Sequence, residues 1–192
     1  MRNRSEKNRL KSRSQGAFGR ILVLTGARQT GKTTLVKEAF PDYEYISLED
    51  PVLRMEYQRL SAQRWADQFP LAVLDEIQKT PQLIESIKAV YDQFEAPRYL
   101  LLGSSQILLM KQVRESLAGR CQLLELYPLT LPEMMTQSWD DPVQESRLVR
   151  WVRDGVDLSE LPPVLSRDVR YVKACACFER YLQIGGYPAL WK

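Results

Sequence analysis

The stretch Ile21-Leu22-Val23-Leu24-Thr25-Gly26-Ala27-Arg28-Gln29-Thr30-Gly31-Lys32-Thr33-Thr34 decides the fold. Ile21–Leu24 is a continuous apolar run, the pattern of a strand buried on both faces of a parallel sheet. Gly26–Thr33 matches G-x-x-x-x-G-K-[ST] at every fixed position. Leu35, Val36, Ala39 and Phe40 then give the apolar stripe of a helix. Glycines allow the backbone to curl so that successive N–H groups point inward, and the helix N-terminus adds partial positive charge to the same concavity. Gly26, Ala27, Arg28, Gln29, Thr30, Gly31, Lys32, Thr33 and Thr34 are therefore the expected phosphate-binding residues. Lys32 is expected against the β- and γ-phosphates, and the Thr33 hydroxyl as a ligand of Mg²⁺.

Working outward, Leu71–Leu74, Tyr99–Leu102 and Leu123–Leu126 repeat the buried-strand pattern, and Tyr43–Leu48 alternates as an outer strand does. Leu83, Ile87, Val90, Tyr91 and Phe94 fall on one helical stripe, with Thr80 as expected N-cap and Pro81 in the first turn. Strands alternating with helices predict a parallel, doubly wound α/β domain over residues 20–137, with ligands beyond the carboxyl ends of its strands.

Two further groups are expected at that edge. The strand Leu71–Leu74 runs into Asp75-Glu76. Asp75 is the expected carboxylate for Mg²⁺, a cation that keeps its waters and takes few protein ligands. Glu76 is the expected base for an attacking water, because the chain contains no histidine. Leu102-Gly103 leads to Ser104 and Ser105. If this strand lies between the other two, a serine hydroxyl reaches the γ-phosphate or the water. Arg120, before Leu123–Leu126, is a candidate guanidinium for charge on the transferring phosphoryl group, from its own chain or a neighbour. Arg28 is a weaker candidate for a phosphate or partner contact.

Gly-Ala-Arg-Gln-Thr-Gly-Lys-Thr-Thr-Leu (26–35), Leu-Asp-Glu-Ile-Gln-Lys-Thr-Pro (74–81), Leu-Gly-Ser-Ser (102–105), Glu-Ser-Leu-Ala-Gly-Arg (115–120) and Leu-Tyr-Pro-Leu-Thr (126–130), followed by Glu133, resemble the prokaryotic AAA-type ATPases that carry a C-terminal domain of unknown function. The resemblance covers residues 20–137. It implies a three-layer P-loop fold of the additional-strand, catalytic-glutamate type, with ATP and Mg²⁺ as ligands and hydrolysis as the activity. It also implies that Lys32, Glu76, Ser104 and Arg120 serve catalysis, with Ser104 at the sensor position. A GTPase is disfavoured, as no Asn/Thr-Lys-x-Asp string occurs, and a small-molecule kinase is disfavoured by Glu76 directly after the metal acid. The rival reading is a nucleotide-binding switch or nucleic-acid-associated module with little or no hydrolysis.

Outside this region, residues 1–19 form a basic arm expected to be disordered. Residues 1–20 hold seven cations against the single acid Glu6. An electrostatic contact with nucleic acid is one use of such an arm, and a solvated tail is the favoured alternative. Residues 138–192 are expected to be a helical extension. Family members usually continue further, so the chain reads as truncated at the start of a second domain. The stripe Tyr171, Cys175, Phe178 and Leu182, together with Trp191, is then expected to be exposed and prone to association. Cys121, Cys175 and Cys177 suit a reducing cytoplasm better than a disulfide framework, and no run is long and apolar enough to cross a bilayer. Partners beyond ATP are expected to be a second copy or another protein.

Overall fold

The computed structural model describes residues 1–16, 19–104, 115–145, 147–155 and 169–191, with Lys111 and Val113. The chain divides into two compact units, Glu6–Tyr127 and a second made of Met1–Ser5 with Pro128–Lys192.

The first unit is built on five parallel strands: β1 (Ile21–Thr25), β2 (Glu44–Ser47), β3 (Leu71–Asp75), β4 (Arg98–Leu102) and β5 (Cys121–Glu125). Their order is β2-β3-β4-β1-β5, so β4 lies between β1 and β3. The helices are α1 (Glu6–Ser14), α2 (Lys32–Ala39), α3 (Pro51–Gln58), α4 (Ala62–Gln68) and α5 (Gln82–Gln93). Strand alternation divides the core. Ile21, Val23, Ile46, Ala72, Leu74, Tyr99 and Leu101 pack with Trp65 of α4 and Leu83, Ile84, Ile87 and Val90 of α5. Leu22 and Leu24, equally buried, point to the opposite face, where α1 and α2 pack together. Both sheet faces are covered, which is why the β1, β3 and β4 runs are apolar without alternation.

Three sequence expectations change here. The run Leu123–Leu126 belongs to an edge strand, β5, that starts at Cys121 and leaves Leu123 exposed. Among the described residues it stands at the end of the strand order, paired with β1. Thr80 is not a side-chain cap: its hydroxyl is buried without a hydrogen-bond partner among the described residues. The helix opens instead through the carbonyls of Thr80 and Pro81, which accept from Leu83 and Ile84 N–H. The arm expected to be disordered contains α1, whose Leu10 is fully buried.

The second unit holds α6 (Leu131–Met134), α7 (Arg147–Asp154), α8 (Val169–Ile184) and a 3₁₀ turn, Pro188–Trp191. Leu129, Met134 and Trp191 form its core. Trp191, expected to be exposed, is buried, and its indole N–H donates to the Gly185 carbonyl at 2.7 Å. The Leu129 N–H donates to the Gly186 carbonyl at 2.7 Å, so the Gly-Gly-Tyr-Pro string lies against Leu129. Residues 1–5 complete this unit. The Arg2 guanidinium donates to the carbonyls of Trp191, Met134 and Thr136, and buried Arg4 pairs with buried Glu133 at 3.6 Å. Glu133 also accepts from Ser5 N–H, Ser5 Oγ and Thr130 N–H at 2.6–2.9 Å. On α8, Tyr171, Phe178 and Leu182 are exposed, whereas Cys175 is half-buried. All three cysteines are free. No helix among the described residues is long and apolar enough to cross a membrane.

Candidate nucleotide site

Register brings the motifs to one edge. Leu24 of β1 pairs with Leu102 of β4 and Leu124 of β5, while Leu74 of β3 pairs with Leu101 of β4. The Gly26–Thr33 loop, Asp75-Glu76 and Gly103-Ser104 therefore leave the sheet on the same side. Ser105 lies outside the described residues.

The loop has the backbone that its glycines predict. Gly26 has φ +149°, and a Cβ there would stand 2.3 Å from the Leu126 carbonyl oxygen. Gly31, at φ +89°, is the left-handed residue from which α2 starts. Thr30 is buried and its hydroxyl donates to the Ala27 carbonyl at 2.9 Å, bracing the curl from within. Ala27, Arg28 and Gln29 are exposed on the loop's outer turn. Thr34 is half-buried in the first turn of α2. Among the described residues, the non-glycine positions with positive φ are Gln29 (64°) and Glu76 (61°), both in this site. A left-handed backbone at a side-chain-bearing residue costs about 1–3 kcal/mol and gathers where function fixes geometry.

Lys32 is buried, and its ammonium donates to the Gly26 and Ala27 carbonyls at 3.0 and 2.9 Å. Desolvation holds its pKa below the usual lysine range, partly opposed by the charges of Glu76 and Asp75. Opposite stands Asp75, itself buried. Its Oδ2 accepts from Thr33 Oγ1 at 2.5 Å and from Tyr45 Oη at 2.7 Å. The convergence follows from parity: Ala72 and Leu74 face α4 and α5, so Asp75 faces α2, as does Tyr45 beside Ile46. Burial and the Asp75 carboxylate push the Tyr45 phenol pKa up, and Lys37 Nζ sits 3.6 Å from the centre of its ring.

Glu76 is half-buried just past β3, and its main-chain N–H donates to Asp75 Oδ1 at 2.9 Å. The Gln78 side-chain amide donates to Glu76 Oε2, and Gln78 Oε1 accepts from Ser104 N–H at 3.4 Å. Ser104 Oγ is buried and has no hydrogen-bond partner among the described residues.

Lys32, Thr33, Asp75, Glu76 and Ser104 thus share one edge, and Arg120 does not. Cys121 pairs with Ile21 at the start of β1, which leaves Arg120 at the amino edge, roughly 15 Å of strand from the loop. There it forms a two-pronged ion pair with Asp92, at 2.7 and 3.2 Å. A contact from Arg120 to its own chain's loop is therefore ruled out by strand direction. Tyr45 and Gln78 were missed as site residues. The alternation in 43–48 could have indicated Tyr45, and Gln78 stands inside the quoted 74–81 string.

The site's donor set consists of a hydroxyl and carboxylate oxygens, hard ligands of the kind Mg²⁺ takes. Beside them lie an ammonium and a curled main chain, which suit polyphosphate. A loop of this sequence between β1 and α2, with acids after β3 and β4 between them, defines a P-loop nucleoside-triphosphatase fold of the additional-strand type. A family model described as an AAA domain, AAA_14, matches residues 19–135, and the chain belongs to that family. It is 34% identical over 154 residues to the uncharacterized proteins Mb2031c of Mycobacterium bovis and Rv2008c of Mycobacterium tuberculosis. That match covers 74% of this chain and 30% of each relative, so the chain spans under a third of their length. Among solved structures, a signal transduction ATPase with numerous domains from Pyrococcus horikoshii, carrying a tetratricopeptide repeat sensor, superposes with TM-score 0.54 at 12% identity. The superposition covers 99% of this chain and 29% of that one, and it speaks to the fold alone.

Proposed function

We propose that the Glu6–Tyr127 unit binds ATP with Mg²⁺ and hydrolyses it. The observation that carries this reading is the 2.5 Å hydrogen bond from Thr33 to Asp75, which joins the phosphate loop to the acid strand. The loop amides and the α2 N-terminus receive the phosphates, and Lys32 exchanges its two loop carbonyls for β- and γ-phosphate oxygens. Thr33 and Asp75 are the residues that would hold the metal. Bound there, Mg²⁺ neutralises charge on the phosphate oxygens. Glu76 takes a proton from water as the water oxygen bonds to the γ-phosphorus. The bond from that phosphorus to the bridging oxygen breaks, leaving ADP and inorganic phosphate. Ser104 Oγ orients the γ-phosphate or the water.

The position of Arg120 supports a second reading, a nucleotide-binding switch with slow turnover when the chain is alone. If Arg120, now paired with Asp92, serves any nucleotide site, that site belongs to a neighbouring copy. Calorimetry with Mg·ATP and a phosphate-release assay, on the wild type and on Lys32→Ala and Glu76→Gln, test both readings. Binding lost in the first variant and turnover lost with binding kept in the second is the expected result. Wild-type behaviour in both variants would refute the roles.

A further inference from the structure

We propose that Gln78 is a positioning residue that ties the Glu76 carboxylate to the backbone after β4. The inference rests on the reading of Glu76 as the base.

Glu76 emerges from β3 in a left-handed conformation, and Ile77–Lys79 turns at once into a 3₁₀ helix. Across that tight turn the Gln78 amide reaches back to Glu76 Oε2. A glutamate side chain with several free torsions samples many orientations, and a base must stand within about 3 Å of the proton it removes. The amide is bifunctional. Its NH₂ holds the carboxylate, while its oxygen accepts the Ser104 N–H at 3.4 Å. Neither half is supplied by the apolar neighbour Ile77, which is buried in the core. The Ser104 hydroxyl is itself buried without a hydrogen-bond partner among the described residues. One side chain therefore links the group that activates water to the group facing the transferred phosphate, across the β3–β4 boundary. A shift of either end reaches the other through a single amide. Glutamine is the required length: asparagine is one methylene short of spanning both contacts, and glutamate repels the carboxylate it must hold.

The test uses Gln78→Met, which keeps the length and removes the amide. The site is half-buried and methionine fits it, and binding of a fluorescent ATP analogue reports that the variant is folded. The expected result is a kcat lowered about ten- to a hundredfold at unchanged KM. Single-turnover measurements should show no additional loss when Gln78→Met is combined with Glu76→Gln. In the nucleotide-free protein, Glu76→Gln should shift the Gln78 side-chain amide resonances in ¹⁵N NMR spectra. Unchanged kcat in Gln78→Met, an equal rise in KM, a fully additive double variant or unmoved Gln78 resonances would overturn the inference while Glu76→Gln still slows single turnover to a measurable residual rate. Turnover retained by Glu76→Gln would overturn the role of Glu76 itself and the inference with it.

Discussion

Thr33 and Asp75 lie on different elements, 42 residues apart, and share a 2.5 Å hydrogen bond that fastens the first turn of α2 to the carboxyl end of β3. Asp75 accepts from Tyr45 as well, so a buried carboxylate is held by two hydroxyls before any ligand arrives. On the proposed reading, these two hydrogen bonds preform the position a metal would take, and their integrity is measurable without nucleotide.

Removal of the Tyr45 hydroxyl tests that preorganisation. Tyr45→Phe should lower unfolding stability by about 1.5–3 kcal/mol, the typical value of a hydrogen bond to a charged group. It should also raise the Mg²⁺ concentration needed for half-maximal ATP binding, while ATP affinity measured in chelator stays unchanged. Urea melts and calorimetry at varied Mg²⁺ provide the two readings. An unchanged Mg²⁺ requirement would leave Tyr45 a packing residue only.

Gly26 faces a carbonyl. Its φ of +149° and the 2.3 Å approach of a virtual Cβ to Leu126 O predict that Gly26→Ala loses about 1–3 kcal/mol from backbone strain, with steric overlap adding to this. ATP affinity should fall together with stability, because the strain is relieved only by moving the loop. A variant as stable as the wild type would show that the loop adjusts freely.

Alkaline pH offers a test of Lys32. Its folded-state pKa is lowered, chiefly by desolvation, so the charged ammonium disfavours the folded state at neutral pH. That penalty is relieved as pH climbs from the folded value to the unfolded one. Stability of the unliganded wild type should therefore rise relative to Lys32→Met through this window. ATP affinity should fall over the same range as the amine loses its charge. Parallel pH profiles for wild type and variant would contradict the assignment.

Arg4 and Glu133 are both buried, and truncating one partner of such a pair typically costs about 3–5 kcal/mol. Arg4→Ala should unfold the second unit earlier in urea, detected through Trp191 fluorescence. Deleting residues 1–19 should behave at least as severely, since it also removes buried Leu10 of α1. A deletion that leaves both units at wild-type stability would restore the solvated-tail reading of the arm.

Arg120 lies beyond the reach of its own loop. Arg120→Ala should leave ATP affinity unchanged and lower turnover only at protein concentrations where copies associate. A turnover loss independent of concentration would contradict the strand direction that places it.

The loop Gly26–Thr33 and the pair Asp75-Glu76 were legible because their work is done by local backbone. A glycine at a left-handed position, or an acid at the end of a buried strand, carries the same consequence in any copy of the fold. Tyr45 and Gln78 were not, because each matters through one long-range hydrogen bond, to Asp75 and from Ser104. The arm misled for a related reason. Its charges indicate disorder until partners are counted: Arg4 with Glu133 and Lys7 with Glu38.

By itself, then, the sequence determined the alternating strands and helices, the phosphate loop and the acid pair, since each is written in residues adjacent along the chain. The tertiary structure decided that β4 separates β1 from β3, that Asp75 faces Thr33 and that Arg120 stands at the opposite edge. Strand order and side-chain parity govern those relations, and both are set by long-range pairing, which local sequence does not encode.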